Sequence, residues 1–532
     1  MTNSSLHRAD VVIVGLGPAG LLASILLGQK GYQVIGLDRW PTPYPLPRAV
    51  TFDHEIARIL ASLGINPDSD PTIDYHDDHY FWINKDKEIL LEVDWMSTAN
   101  DGWRNRYWFS QPELEERLRG IISSLPNVKI MQGFEVDSYV ESSSGVSLTY
   151  KEVRQEGFIT VPVEGGEVGT IEAQYGIGSD GANSFVRRSL GYDFVDLNFY
   201  YDWIVVDMTP DVMPKYWTAH YQICDPARPT TVVPGGPGRR RWEFMVLPGE
   251  DPQELAKPEN IWPLLEPFGL TPENSKMDRS VAWRFQGKFL ENWRSHRSML
   301  VGDAAHLMPP FAGEGMCAAF RDVYNLAWRL DLVLQGKSGD ELLTEWSNER
   351  RENAKWYINF SVELGRVICV TDEKEAAERD ANMIAAYKAT LEHGPTNPHL
   401  AVLGDGTWDS SDELAGRPSI QGRVAYKGRT GRFDEVVGRE WFVLTDAAHS
   451  GEALTESQKA KLAKVGGATL TVGPRGSGAD VIDINGTYAD WFAENNVNHL
   501  VVRPDYFVAA TANNTDQLQA AFDRATVNLV VA

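Results

Sequence analysis

Residues 11–20, VVIVGLGPAG, limit what this chain can fold into more than any other segment. Val11, Val12, Ile13 and Val14 form an apolar run of strand length that enters a glycine-rich turn at once, and residues 21–30 read as a helix. Residues 33–37 read as a second strand ending in Asp38, which completes a strand–helix–strand unit of roughly 30 residues. In Gly15-Leu16-Gly17-Pro18-Ala19-Gly20 each glycine has its own task. Gly15 makes the tight turn, Gly17 lets the backbone approach a pyrophosphate, and Gly20 lets helix and strand pack closely. With Pro18 and Ala19 in the turn, the helix N-terminus that follows offers free N–H groups and a positive dipole end to phosphate oxygens. Asp38 can accept ribose hydroxyls. The pattern predicts a bound dinucleotide and leaves NAD and FAD open.

The chain has 532 residues, too many for one compact core, so two to four folding units are expected. A formal charge of −24 argues against a nucleic-acid or anionic-membrane partner, and any anion site must be locally basic. No apolar run reaches the ~18 residues of a membrane span, and no signal peptide is visible. Cys224, Cys317 and Cys369 are widely spaced, which suits a reducing cytoplasm better than a disulfide scaffold. A cytoplasmic protein is expected.

Further along, residues 52–63 and 112–123 carry helical spacing, and residues 147–150 and 175–178 read as strands. Residues 195–285 change character: alternating segments such as 203–208 and 241–247 predict an antiparallel sheet inserted into the nucleotide-binding unit. That unit resumes at 286–395 with long helices over 314–334 and 341–370, so its expected extent is 1–194 plus 286–395. Residues 394–398 read as a linker. Residues 400–532 form a separate α/β unit with a helix at 456–464 and strands at 468–472 and 499–502.

The choice of dinucleotide comes from three segments in order. Arg297-Ser-Met-Leu-Val-Gly302-Asp303-Ala-Ala-His306, Ser179-Asp180-Gly181-Ala182-Asn183-Ser184 and the glycine turn together resemble the fingerprints of the class A flavoprotein aromatic hydroxylases. The resemblance implies a Rossmann-like FAD-binding domain, with Asp303 on the ribityl chain and Asp180 and Gly181 in the middle motif. It further implies that the helix after Pro310, Gly313 and Gly315, with Met316 and Cys317 in its first turn, aims its N-terminus at the flavin pyrimidine. By the same resemblance Arg39, Arg48, Gln111 and Val136 lie near the cofactor. His306 is expected to be structural. Residues 202–207, 224–229, 241–249 and 499–510 resemble the 3-(3-hydroxyphenyl)propionate hydroxylase branch more narrowly. In that branch the C-terminal unit is thioredoxin-like, and here no cysteine follows Cys369, which excludes thiol–disulfide work and favours packing or dimerisation. Two departures stand out: Glu314 where the branch commonly has Gln, and Cys317 where many members have Asn.

The resemblance implies reduction of FAD by transient NADH or NADPH, reaction with O2, and ring hydroxylation of a phenol through a flavin C4a-hydroperoxide, in a homodimer. The expected substrate is a 3-hydroxyphenylpropanoate-like acid hydroxylated ortho to its hydroxyl. A larger polyketide or antibiotic scaffold, a non-hydroxylating FAD oxidase or reductase, and a silent flavin-binding protein are rivals. His54 is the first candidate to take the phenolic proton, since an ordinary histidine titrates near ~6.5. A plain helix residue is the alternative. Asp53 is the fallback, or a helix cap. Arg241 is a candidate carboxylate anchor, sharing a strand face with Arg239, unless all three neighbouring arginines are simply solvated. Trp217, His220 and Tyr221 are candidates for the aromatic pocket, and Pro309 and Phe311 for its flavin-side wall. No metal ligand set is visible.

Overall fold

A computed structural model describes residues 4–530 apart from 76–77, 158, 214–216, 392–400, 450 and 452; the expected linker at 394–398 lies outside the described residues. The first sheet has eight strands, and Ser4–Val14 runs through its middle. That strand pairs in parallel with Val34–Asp38 on one side and Val168–Gly178 on the other. Val128–Gln132 and Ser298–Leu300 extend the parallel arrangement outward. Parallel strands buried on both faces suit the unbroken apolar runs of this part of the sequence. Parallel direction also has a consequence for function: the carboxyl ends of four strands reach one edge and bring distant motifs together. Gly15 N–H donates to Leu37 O, Ser179 N–H to Val14 O, and Val301 N–H to Gly178 O, at 2.8, 2.8 and 3.0 Å.

The second sheet also has eight strands. Val195–Pro210, Ser275–Phe289, Arg240–Met245, Thr230–Pro234 and His220–Cys224 are antiparallel to their neighbours among themselves, as expected. Tyr80–Asn84 joins in parallel beside His220–Cys224, followed by Ile89–Val93, so this earlier hairpin is part of the same sheet. One face packs around Trp203, Phe285 and Phe311 with the helix Glu341–Ile368, and the other around Trp242, Phe244 and Leu265. A small third sheet sets Thr51–Asp53 antiparallel to Arg106–Phe109, with Asp53 opposite Arg106. The C-terminal unit is built on a mixed seven-stranded sheet and is thioredoxin-like in class. All three cysteines are buried and free. No helix among the described residues is long and apolar enough to cross a membrane.

Candidate active site

The strand edge forms the nucleotide groove. A Cβ on Gly15, whose φ is +96°, would stand 2.5 Å from Ser179 O, and one on Gly20 would stand 1.9 Å from Gly15 O. Gly17, by contrast, has nothing within 4 Å of that position, so the turn is packed inside and open outside. The helices Pro18–Gln29 and Gly315–Leu334 both start without a capping side chain, leaving first-turn N–H groups for an anion. Asp303 is exposed on this edge and Gly302 fits closely against Ala319. Asp38 already accepts from Leu16 N and Trp40 N, which fixes its carboxylate in place with lone pairs to spare. These features fit FAD.

Other expected cofactor residues are engaged with the protein. The Gln111 amide accepts from Arg48 N and Ala49 N and donates to Glu115, so it holds the chain that carries Arg48. Asp180 caps the short helix Phe185–Ser189 through Phe185 N and Val186 N, beside Gly181 at φ +80°. Arg39 and Arg48 are exposed, resting over Trp40 and over Tyr44. Val136 is buried in the strand Phe134–Ser142. His306 shares the buried Asp322 carboxylate with Gly302 N, a structural role, as expected.

Next to Phe311, Ala312 and Glu314 lies a cavity of about 550 Å³. Tyr80, Trp82, Trp95, Tyr357 and Phe360 supply most of its aromatic wall, and His54, Asp101 and Arg106 its polar end. Arg417, Pro418 and Ser419 of the C-terminal unit close another side. His54 begins the helix His54–Ser62, and its Nδ1–H donates to Asp101 at 2.9 Å. No other hydrogen bond engages this ring among the described residues, which leaves Nε2 for the cavity. Burial disfavours the imidazolium, but Asp101, Asp53 and Glu55 outweigh it and raise the pKa to about 9. The ordinary titration expected from sequence therefore does not hold. The three carboxylates thus favour a proton on Nε2, which suits it to donate into the cavity.

Asp53 is a cap and an ion-pair partner. It accepts from Ile56 N at 3.1 Å and pairs with Arg321. Although burial works to raise it, Arg321 and His54 hold its carboxyl down at about 2, so it is a poor proton acceptor. Glu314 neither faces solvent nor stands free: Arg106 and Arg321 hold it at 3.2 and 2.9 Å. Asp53, Glu314 and Cys317 lie close enough together to hold a metal, but two guanidiniums already occupy that neighbourhood. Burial keeps the Cys317 thiol protonated, and its Sγ bonds to Gly313 O in the first helical turn.

Four pocket candidates fall elsewhere. Arg241 is buried against Asp207 and bonds Arg48 O and Pro47 O, so it is no free anchor; Arg239 pairs with Glu113 and Arg240 with Thr218 O and Ala219 O. Trp217 meets Tyr221 and Phe268 edge to face, on the opposite sheet face from the cavity. His220 lies one layer behind the wall, against Tyr80 and Trp95; burial and Arg106 keep it neutral. Phe311 lines the cavity, while Pro309 and Pro310 lead into it. Asp101, Arg106 and Arg417 carried no signal in sequence, because each gains its place only through another segment.

A groove that fits FAD and an aromatic cavity are together what a flavin-dependent oxygenase acting on a ring requires. The chain belongs to the FAD binding domain family, which residues 8–361 match, and residues 416–526 match the HcaD C-terminal domain. It is 34% identical over 96% of its length to a probable NADH-specific resorcinol 4-hydroxylase of Rhodococcus jostii, covering 93% of that protein. It is 31% identical over 95% of its length to a 3-(3-hydroxy-phenyl)propionate/3-hydroxycinnamic acid hydroxylase of Klebsiella pneumoniae, covering 92%. The flavin-dependent monooxygenase PieE, solved with FAD and substrate, shares the fold at TM-score 0.78 and 20% identity, over 98% of this chain and 99% of that one. The aklavinone-11 hydroxylase ternary complex does so at 0.75 and 21%, over 98% and 99%. The protein is an FAD-dependent aromatic hydroxylase that uses NAD(P)H.

Proposed function

We propose that this enzyme hydroxylates a phenol bearing an anionic tail, ortho to the ring hydroxyl, inside the His54 cavity. FAD, reduced by a nicotinamide, supplies the activated oxygen from O2. The protein's own task is to bind the ring among Trp82, Trp95 and Phe311, exclude water, and favour phenolate. The protonated Nε2 of His54 is suited to the last of these, because a donor fixed by Asp101 stabilises a phenolate oxygen without reorganising. The phenol gives up its proton to solvent before the cavity closes around it as phenolate, and His54 keeps its own.

The observation that carries the substrate class is charge matching. The four carboxylates on the cavity wall are all occupied: Asp53 by Arg321, Asp94 by Met96 N and Ser97 N, Asp101 by His54, and Glu314 by Arg106. Arg417 is exposed at the rim and has no ion-pair partner among the described residues. A carboxylate a few bonds from the ring would meet it. The names of the relatives support phenolic substrates and NADH as reductant. A cavity of about 550 Å³ favours a second reading, a larger polyketide-type scaffold, because it falls within the ~300–1,000 Å³ of drug-sized sites. The test follows NADH consumption by FAD-loaded protein with resorcinol, 3-(3-hydroxyphenyl)propionate and a polycyclic phenol, measuring product and hydrogen peroxide. Coupled product from the acid supports the first reading and product from the polycycle the second; peroxide alone with all three overturns both.

The proposal includes a reducing cytoplasmic setting, supported by three free buried thiols, and a homodimer, supported by family resemblance. It also includes the division into 1–194 with 286–395, 195–285 and 400–532, supported by the three large sheets.

A further inference from the structure

The turn that carries Asp101 is closed by Ala99 N–H to Trp103 O and Gly102 N–H to Ala99 O, and it is also held from outside by the C-terminal unit. Gln421 N–H donates to Asn100 O at 3.0 Å. Arg432 donates to Gly102 O at 3.3 Å and to Asp68 at 2.7 Å, with its guanidinium 3.6 Å over the Trp103 ring. Gly102 has φ +77°, and a Cβ there would stand 3.2 Å from Gln421 O, so the two backbones meet directly. The helix that carries His54 is held from the same side. One turn along it, Arg58 forks onto Asp434 at 2.6 and 3.0 Å, donates to Ser419 O at 2.8 Å, and lies 4.1 Å over Tyr506. Both halves of the His54–Asp101 pair are therefore backed by residues more than 300 positions away in sequence.

We propose that the C-terminal unit is a positioning element of the active site: Arg432 and Asp434 fix the Asp101 turn and the His54 helix relative to each other, and so set the His54–Asp101 hydrogen bond. This rests on the role given to His54 above. An interface that merely glued two units together would not need its contacts gathered behind this pair; the Arg503–Glu349 contact already supplies adhesion. A hydrogen bond weakens steeply once its geometry slips, and a buried imidazolium that loses its carboxylate gives up its proton more readily. The titration of His54 is thus a gauge of where Asp101 stands.

The experiment reads that gauge by NMR in full-length, FAD-loaded protein labelled at histidine, with the His54 signal assigned by its loss in His54→Asn. In Arg432→Ala the midpoint is expected to fall from about 9 by roughly one pH unit or more, and in Asp434→Asn to fall by less. Arg432→Lys, which keeps a cation over Trp103 and near Asp68, is expected to restore much of it. An unchanged midpoint in folded Arg432→Ala overturns the proposal; should that variant not fold, an unchanged midpoint in Asp434→Asn does so. No substrate is needed, so failure of the wild type to hydroxylate any phenol would sink the functional reading and leave this result standing.

Discussion

Two buried ion clusters in this molecule use the same kinds of side chain to opposite ends. In the first, Glu349 accepts from Arg329, Arg503, Asn325 and Thr407 N, and Arg503 also pairs with Asp505. Two carboxylates meet two guanidiniums and join the C-terminal unit to the helix Glu341–Ile368. In the second, Asp53, Glu55 and Glu314 meet only Arg321 and Arg106, so one negative charge is in excess beside the cavity. Among the described residues both clusters hold atoms without a hydrogen-bond partner, Arg329 Nε and Asn325 Oδ1 in the first and Arg106 Nε and Nη1 in the second, so the charge balance is what separates them. A cluster whose charges balance holds a structure in one state. An unbalanced one keeps its neighbours' protonation shifted, which is the condition under which a site can act on a proton.

The first cluster and the His54–Asp101 pair beside the second should fail at opposite ends of the pH scale. Burial works to raise the Glu349 carboxyl, but Arg329 and Arg503 hold it at about 2. Its contribution to stability is therefore present above its unfolded value of 4.5 and lost as pH falls towards about 2. His54 is raised, so its contribution is fully present below 6.5 and lost as pH rises through about 9.

Removing the balanced cluster should have the largest effect. Glu349→Ala leaves two arginines buried without their partner and is expected to cost roughly 3–5 kcal/mol in denaturant unfolding. Next comes His54→Asn, which should lower kcat/KM for a phenol by about 10²-fold or more while NADH still reduces the FAD; equal loss of both rates would mean a folding defect. Smaller is Arg417→Gln. It should raise KM for a phenolic acid about fivefold, equivalent to the ~1 kcal/mol of a partly exposed ion pair, and leave resorcinol unchanged. Smallest is Glu314→Gln. Burial and Asp53 push the Glu314 carboxyl up, and its loss balances the second cluster, so thermal stability should shift by no more than about 1 kcal/mol. A loss as large as that of Glu349→Ala would erase the contrast between the clusters.

The two functional regions differ in how much of them could be read in advance. Gly15, Gly17 and Gly20 act through backbone space, and Asp38 through its place at a strand end, so the motif is almost the structure. The cavity is made of side chains from segments 53–54, 80–106, 311–314, 356–364 and 417–419. His54 could be proposed because it follows the helix-capping Asp53, but its partner Asp101 is set by a turn that the C-terminal unit holds. Arg241 misled because its neutralising Asp207 sits across the sheet register, on a strand more than 30 residues earlier. Tyr221 misled because His220–Cys224 has apolar neighbours on both faces, and parity in such a strand does not say which face is the pocket; Trp217, just before the strand, packs with it.

The most direct test of the account is an absorbance titration of a chromogenic phenol bound in the cavity, in wild type and in His54→Gln. The account predicts that the wild type holds the phenol as phenolate at a pH at least one unit below its value in water, and that His54→Gln loses most of this shift. Equal midpoints for the two proteins would contradict it.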